Sequence, residues 1–197
     1  MFERVMVIVL FILLIAGTFF FVMHEKEEPV EHTVKPVVMA KPIPVPTSEL
    51  IKQVCDVDNF EAKHLASMVD AASKVEKTSV DIIVAVISTE SNCKWIVGDN
   101  GRSIGYGQIQ TRFYSSGKYD PTNPLHNVYL TARILQENYK DTGKWKHAIE
   151  VYNIGKTNFR KNKARISGRN YVKKVSGQLA IIEHYRQNRG STLIALR

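Results

Sequence analysis

The chain has 197 residues, two cysteines and a formal net charge of +8. Its length fits one domain of ordinary size, but the charge is uneven. Residues 1–47 carry four basic and five acidic side chains, while residues 48–197 carry 23 and 14. Neither Cys55 nor Cys93 has a basic motif or metal-ligand spacing beside it, which argues against a cysteine nucleophile and against a zinc site.

An uncharged stretch of 19 residues, Val5 to Met23, comes first in the chain. As a helix rising about 1.5 Å per residue, it is long enough to cross a hydrocarbon core of about 30 Å. A removable signal peptide is the alternative, but the run is longer than a usual signal core and no small-x-small cleavage site follows closely. We expect residues 1–23 to form a single-pass anchor in the inner (cytoplasmic) membrane. Arg4 precedes the span, which favours export of the rest of the chain to the periplasm or cell-wall side.

Residues 24–47 read as a stiff periplasmic spacer, because five of the seven prolines lie there. His24 and His32 stand among glutamates in this segment. An extended spacer lacks the preorganised geometry of a closed metal site, so we predict no metal site and no cofactor.

Residues 48–197 predict a compact all-α domain, since the periodic segments have helical spacing and none shows strand-like alternation. Ser79 is a candidate N-cap for an apolar helix that ends at Glu90, and Pro124 suits the first turn of a later helix. The helix within residues 58–77 is predicted to place one broad apolar face inward, formed by Phe60, Leu65, Met68, Val69, Ala72 and Val75. The longest irregular stretch, residues 92–110, directly follows Glu90, and long loops of compact domains often carry function.

The two cysteines leave two possibilities open. In an oxidising compartment Cys55 and Cys93 could pair, which would stabilise the domain by roughly 4 kcal/mol on the chain-entropy estimate. They could equally remain two separate buried thiols.

Glu90 is an unusual residue at the end of an apolar helix. Helical spacing places it on the same face as Ile83, Val86 and Ile87. A carboxylate among branched aliphatic side chains loses hydration in its charged form, so its pKa should rise. Such a glutamic acid stays protonated near neutral pH and can donate a proton. The alternative is a glutamate that reaches solvent at the helix end and has no role.

Several short motifs follow one another around Glu90. They are "ES" at Glu90-Ser91, "GYGQ" at residues 105–108, "AIEVYNIG" at residues 148–155 and "YVKKV" from Tyr171. Their order and spacing resemble the lytic transglycosylase and goose-type lysozyme family over about residues 60–175. The resemblance implies a lysozyme-like helical fold and cleavage of the β-1,4 bond between N-acetylmuramic acid and N-acetylglucosamine in peptidoglycan. It implies that Glu90 is the catalytic acid.

The resemblance also implies a substrate-binding set around that acid. Amide and hydroxyl groups can orient the acid or the sugar, and aromatic rings can pack on sugar faces. The predicted substrate-binding residues are Ser91, Tyr106, Gln108, Gln110, Tyr152, Asn153 and Tyr171.

Departures from the family pattern bear on the product. Asp99 stands where lytic transglycosylases usually carry serine and goose-type lysozymes carry aspartate, so it is a second candidate catalytic residue that could position water for inverting hydrolysis. A further aspartate of many goose-type enzymes is Gln110 here. Asp99 also stands in "GDNG", a good turn sequence in its own right. We favour the reaction that releases 1,6-anhydro-muropeptides.

Two other classes of protein compete with an enzyme. A non-catalytic cell-wall-binding assembly module would not need Glu90 beside intact "YN" and "GQ" elements. A membrane-tethered nucleic-acid binder is suggested by 11 basic side chains and one acid in residues 156–197. An anionic wall polymer explains that charge more simply, so we expect peptidoglycan glycan strands as partner and no nucleic acid. An anchored enzyme of this kind fits envelope-spanning assemblies or, if phage-encoded, a virion membrane.

Overall fold

The computed structural model describes residues 44–114 and 118–195. Three helices come first: α1 (Thr47–Val54), α2 (Asn59–Glu76) and α3 (Val80–Ser91). Asp58 caps α2 in a reciprocal capping box with Glu61. Ser79 is the N-cap residue of α3, as predicted, although its side chain forms no capping hydrogen bond. Asn92 ends α3 in the left-handed conformation, so the chain turns sharply one residue after Ser91.

The loop after α3 contains a small antiparallel sheet. Its strands are β1 (Val97–Gly98), β2 (Ser103–Ile104) and β3 (Ile109–Gln110), with a 3₁₀ turn over Asp99–Gly101 between the first two. Val97 pairs with Ile104, and Ile104 pairs with Ile109. The prediction of a domain without strands was therefore wrong at this point, because strands of two residues are too short to show alternation.

Helices form the rest of the described chain: α4 (Thr111–Tyr114), α5 (Pro124–Thr142), α6 (Trp145–Arg160) and α7 (Arg165–Ala195). Pro124 occupies the first turn of α5, as predicted, and the Asn123 side chain caps that helix. Gly155 interrupts α6 with φ 77° and ψ 153°, a backbone conformation that a residue with a Cβ rarely adopts. The mostly helical fold agrees with the predicted lysozyme-like class.

The hydrophobic core surrounds α3. Residues 82–87 of this helix are all buried, and the helix packs against α1, α2, α5 and α7. A helix that is apolar on every side is stable only when it is enclosed in this way. The predicted inward face of α2 is correct in its middle but wrong at its ends, since Phe60 is 80% exposed and Val75 is 55% exposed.

A disulfide bond joins Cys55 to Cys93. It connects the residue after α1 to the loop that begins beyond α3, over a separation of 38 residues. Of the two possibilities that the sequence left open, the structure therefore has the paired form.

Among the described residues, no helix combines the length and the apolar character that a membrane crossing requires. The predicted anchor at residues 1–23 and nearly all of the spacer at residues 24–47 lie outside the described residues.

Candidate active site

Glu90 lies in the last turn of α3, half-buried beside the most apolar part of the core. Ile83, Val86 and Ile87, which share its helical face, are fully buried. Burial penalises the charged carboxylate and raises the pKa of Glu90 from 4.5 to about 7. Near neutral pH the group is therefore divided between its acid and its base form, which suits a residue that donates a proton and later accepts one.

Tyr171 of α7 contacts this carboxyl group directly. Its hydroxyl donates a hydrogen bond to Glu90 Oε1 over 2.6 Å. Burial, and next the negative charge of Glu90, raise the pKa of Tyr171 well above its usual value, so the phenol stays protonated and remains a donor. The same hydrogen bond lowers the pKa of Glu90 and opposes part of the effect of burial. Tyr171 thus fixes one oxygen of the carboxyl group and leaves the other for a ligand.

Two charged side chains act on Glu90 from farther away. The like charge of Asp99 raises the pKa of Glu90, and the Lys174 ammonium lowers it. Both effects are smaller than those of burial and of the Tyr171 hydrogen bond. The structure therefore brings Asp99, the second predicted catalytic residue, close enough for Glu90 to sense its charge.

Asp99 itself is exposed and takes part in the turn between β1 and β2. Its backbone is left-handed, with φ 48°, and its Oδ2 accepts a hydrogen bond from the Ser103 hydroxyl over 3.1 Å. An aspartate that closes its own turn in this way fits the Asx-type role that "GDNG" indicates.

The "GYGQ" turn is held against α5 and α6. Gly105 has φ 80°, a left-handed conformation that favours glycine. At Gly107 the constraint is space, because a Cβ there would overlap Thr131 of α5 and the Tyr152 hydroxyl. That hydroxyl donates to the carbonyl oxygen of Gly107 over 2.7 Å. Tyr152, predicted to bind substrate, thus fixes the turn in place.

Asn127 is a residue of this site that the sequence analysis missed. It is fully buried on α5, and its amide donates to the carbonyl oxygens of Ile104 and Pro121 at 2.8 and 2.9 Å. Its Oδ1 accepts a hydrogen bond from the Gly107 amide over 2.9 Å. One side chain therefore satisfies three backbone groups, two in the loop after α3 and one at Pro121, just before α5. Helical spacing gave no signal for it, because its neighbours on the same helical face, Thr131 and Asn138, are polar as well.

Ser91 and Tyr106 connect α3 to the turn. Ser91 is buried, and its hydroxyl donates to the carbonyl oxygen of Tyr106 over 2.8 Å. The Tyr106 ring is half-buried and meets Trp95 edge to face at 5.5 Å. Burial raises the pKa of the Tyr106 phenol. Direct contact of either residue with a sugar stays a prediction.

The two glutamines lie differently from each other. Gln108 has a left-handed backbone with φ 49°, and its amide donates to the carbonyl oxygens of Ile96 and Gly105 at 3.1 and 2.9 Å. Its side chain therefore closes the loop on itself. Gln110 is exposed at the end of β3, where its Oε1 accepts a hydrogen bond from Arg112.

A cavity of about 420 Å³ opens beside Tyr171. Asn153 of α6 forms one wall, where its Oδ1 accepts a hydrogen bond from the Ser167 hydroxyl over 3.3 Å. The remaining walls come from the first turns of α7: Ile166, Ser167, Asn170, Tyr171 and Lys174. The structure therefore places Asn153 and Tyr171, both predicted site residues, on one cavity. Within the described ranges, no group of three or more histidine, cysteine, aspartate or glutamate side chains is placed to hold a metal ion.

Comparison with known families identifies the chain's middle part. A family model described as the transglycosylase SLT domain matches residues 67–174, which is more than half of the chain. The matched segment runs from the middle of α2 to Lys174 on α7 and includes Glu90, the "GYGQ" turn, Tyr152 and Tyr171. No curated protein matches the chain.

Proposed function

We propose that this chain, which belongs to the transglycosylase SLT domain family, cleaves the β-1,4 bond between N-acetylmuramic acid and N-acetylglucosamine with Glu90 as its general acid. Membership of the family carries the coarser conclusion, a peptidoglycan-cleaving domain of the lytic transglycosylase type. The more specific conclusion, that Glu90 is the general acid, is supported by the surroundings of the Glu90 carboxyl group. This group is buried enough for a pKa of about 7, and Tyr171 orients one of its oxygens.

In the first step the protonated Glu90 carboxyl transfers its proton to the glycosidic oxygen. The bond from that oxygen to C1 of the muramic acid ring breaks, N-acetylglucosamine leaves as an alcohol, and the ring becomes oxocarbenium-like. The carboxylate left behind accepts the Tyr171 hydrogen bond over 2.6 Å, which stabilises the charge that has just formed.

In the second step the Glu90 carboxylate removes the proton from the 6-hydroxyl of the same muramic acid. That oxygen attacks C1 and closes a 1,6-anhydro ring, and Glu90 returns to its acid form. No water is consumed. A pKa near 7 suits both steps, because the group must first donate a proton and then take one back.

The surroundings of Asp99 support this reaction over hydrolysis. A hydrolytic enzyme needs a second carboxylate that activates water on the opposite face of the sugar. Asp99 already accepts the Ser103 hydroxyl within its own turn, and position 110 holds a glutamine in place of a carboxylate. Hydrolysis remains the competing reaction, since the Asp99 charge still reaches Glu90.

The test uses the purified full-length chain, purified peptidoglycan and mass analysis of the released muropeptides. We expect products ending in 1,6-anhydro-muramic acid from the wild type, and a loss of at least about 100-fold in the Glu90→Gln variant. The matched control is Glu183→Gln, which changes an exposed glutamate on α7 in the same way. Cleavage by Glu90→Gln at the wild-type rate would refute the assignment and favour a module that only binds the wall.

The same products separate the two reactions. Fragments heavier by one water, with free reducing ends, would identify a hydrolase, and Asp99→Asn should then remove activity. If the anhydro product is released, Asp99→Asn should leave the product unchanged and affect chiefly the stability of the turn.

We further propose that the domain works from the outer side of the cytoplasmic membrane. The uncharged stretch Val5–Met23 and the proline-rich segment after it support a membrane tether. Such a tether would restrict cleavage to peptidoglycan near the membrane, for example around an assembly that crosses the envelope. Alkaline extraction of membranes tests the anchor: the full-length chain should stay in the membrane pellet. Its release into the supernatant would argue for a cleaved or peripheral form.

A further inference from the structure

The cavity beside Tyr171 is lined by more kinds of contact group than a sugar ring alone would use. Ile166, Asn170 and Lys174 follow one another at intervals of four along α7, so they share one face of that helix. This face presents an apolar surface, an amide and an ammonium in a row. Ile166 is 74% exposed, which leaves its side chain open to an apolar part of a ligand.

Lys174 differs from three of the four arginines that the structure describes in the same helix. Arg165, Arg186 and Arg189 each form an ion pair with a carboxylate of a neighbouring helix, and their partners are Glu150, Asp81 and Glu49. Across residues 44–114 and 118–195, by contrast, no carboxylate lies within ion-pair distance of the Lys174 ammonium. Lys174 is exposed, so a ligand can reach its charge without displacing a protein partner.

The cavity is close to the reacting bond. Tyr171 lines the cavity and also donates to Glu90, so a single side chain separates the proton donor from the cavity. A muramic acid ring whose glycosidic oxygen receives the proton of Glu90 must lie against that pair. Its C3 substituent, a lactyl arm, then has only a few bonds to span before it reaches the cavity.

The lactyl arm is what distinguishes muramic acid from N-acetylglucosamine. It carries a methyl group, and it ends in a carboxylate or, in intact peptidoglycan, in a stem peptide that has free carboxylates of its own. The methyl group suits the exposed Ile166, and a carboxylate suits the donors of Asn170 and Lys174. An N-acetylglucosamine ring in the same place would leave these groups unused.

We propose that this cavity binds the lactyl–peptide arm of muramic acid and that Lys174 pairs with one of its carboxylates. Lys174 is then a specificity-determining residue. It selects muramic acid over N-acetylglucosamine for the position in which the ring's C1 bond is cleaved. This inference rests on the proposed cleavage of peptidoglycan. It adds to that proposal the part of the substrate that selects the bond.

The experiment compares kcat/KM of the full-length chain on three glycans. The first is intact peptidoglycan. The second is the same strands with stem peptides removed by an amidase, which leaves only lactyl carboxylates. The third is the stripped strands with those carboxylates converted to neutral amides. The variants are Lys174→Gln, Lys174→Arg and, as the matched control, Lys173→Gln, which removes the same charge from the adjacent exposed position that does not line the cavity.

We expect Lys174→Gln to lower kcat/KM about tenfold on intact peptidoglycan and by less than about twofold on the amidated strands. A loss confined to intact material would identify a carboxylate of the stem peptide as the partner. A loss on the stripped strands as well would show that Lys174 also pairs with the lactyl carboxylate, which is free only after the peptide has been removed. Lys174→Arg should retain most of the activity. Lys173→Gln should change kcat/KM by the same small factor on all three glycans.

An equal loss of Lys174→Gln on all three glycans, or no loss on any, would overturn the proposal, because Lys174 would then act on Glu90 or on stability alone. The same would follow if Lys173→Gln reproduced the substrate pattern, since the effect would be one of overall charge. Failure of the wild type to cleave any of the three glycans is a different result. It would refute the proposed cleavage itself.

Discussion

Glu90→Gln should stabilise the folded protein at neutral and alkaline pH while it removes the proposed proton donor. The pKa of Glu90 is raised from 4.5 to about 7 in the folded state, chiefly by burial. Between these two pH values the unfolded chain releases the proton of Glu90 and the folded chain keeps it. Rising pH therefore favours the unfolded state of the wild type over this window, whereas a neutral amide has no such dependence.

The size of the effect follows from the two pKa values. Each unit of difference corresponds to about 1.36 kcal/mol in the free energy of unfolding, so 2.5 units give on the order of 3 kcal/mol. This contribution is complete below about pH 4.5 and is lost as the pH rises through 7. The free energy of unfolding of the variant, compared with that of the wild type, should thus be about 3 kcal/mol more favourable at pH 8 than at pH 4, which is equivalent to roughly 10 °C in Tm.

Urea unfolding of wild type and variant at pH 4 and pH 8 gives the stability advantage of the variant at each pH. The contributions of all other titrating groups cancel in the comparison of these two advantages. Glu183→Gln on α7 is the control, because its glutamate is exposed and the same substitution there should give no pH-dependent gain. If the Glu90→Gln advantage were the same at both pH values, Glu90 would have an ordinary pKa. The reasoning that assigns it the role of acid would then fail.

Three further predictions concern the surroundings of the acid. Tyr171→Phe removes the hydrogen bond that stabilises the Glu90 carboxylate, so the alkaline limb of the kcat/KM–pH profile should move up by about one pH unit; a move downward would contradict the assigned contact. Asn127→Ala removes the hydrogen-bond partner of three backbone groups, at Ile104, Gly107 and Pro121, and should lower the free energy of unfolding in urea by about 2–4 kcal/mol together with cleavage activity, whereas an unchanged midpoint would show that water replaces the amide. Replacing both Cys55 and Cys93 by alanine should lower the free energy of unfolding by about 4 kcal/mol, and the loss should match that of the reduced wild type, because both lack the same 38-residue closure.

The helices were predictable because their apolar spacing is a local property. Ser79 before α3 and Pro124 in the first turn of α5 lie where their residue types indicate. The pattern failed at Phe60 and Val75, since both have the correct spacing but lie near the ends of α2, where no other described element covers them. Periodicity gives the direction of a side chain but not the presence of something to pack against.

The loop was not predictable in the same way, because its conformation depends on distant residues. Gly107 depends on Asn127, 20 residues farther along the chain, and on Tyr152, 45 residues away. The contact between Glu90 and Tyr171 spans 81 residues. Family resemblance indicated that Glu90 and Tyr171 belong to one site, but only the structure shows that they touch.

The acid depends on how two helices lie against each other. Tyr171 near the start of α7 contacts Glu90 in the last turn of α3, while Arg186 farther along α7 pairs with Asp81 in the first turn of α3, over 2.7 Å. The two helices therefore run antiparallel and are fixed at both ends, with Val175 buried between the two contacts. A hydrogen bond of 2.6 Å would be lost if α7 shifted by about 1 Å. Since Arg186 lies beyond the matched segment 67–174, a part of α7 outside the family match holds in place Tyr171, whose hydrogen bond lowers the pKa of the proposed catalytic acid.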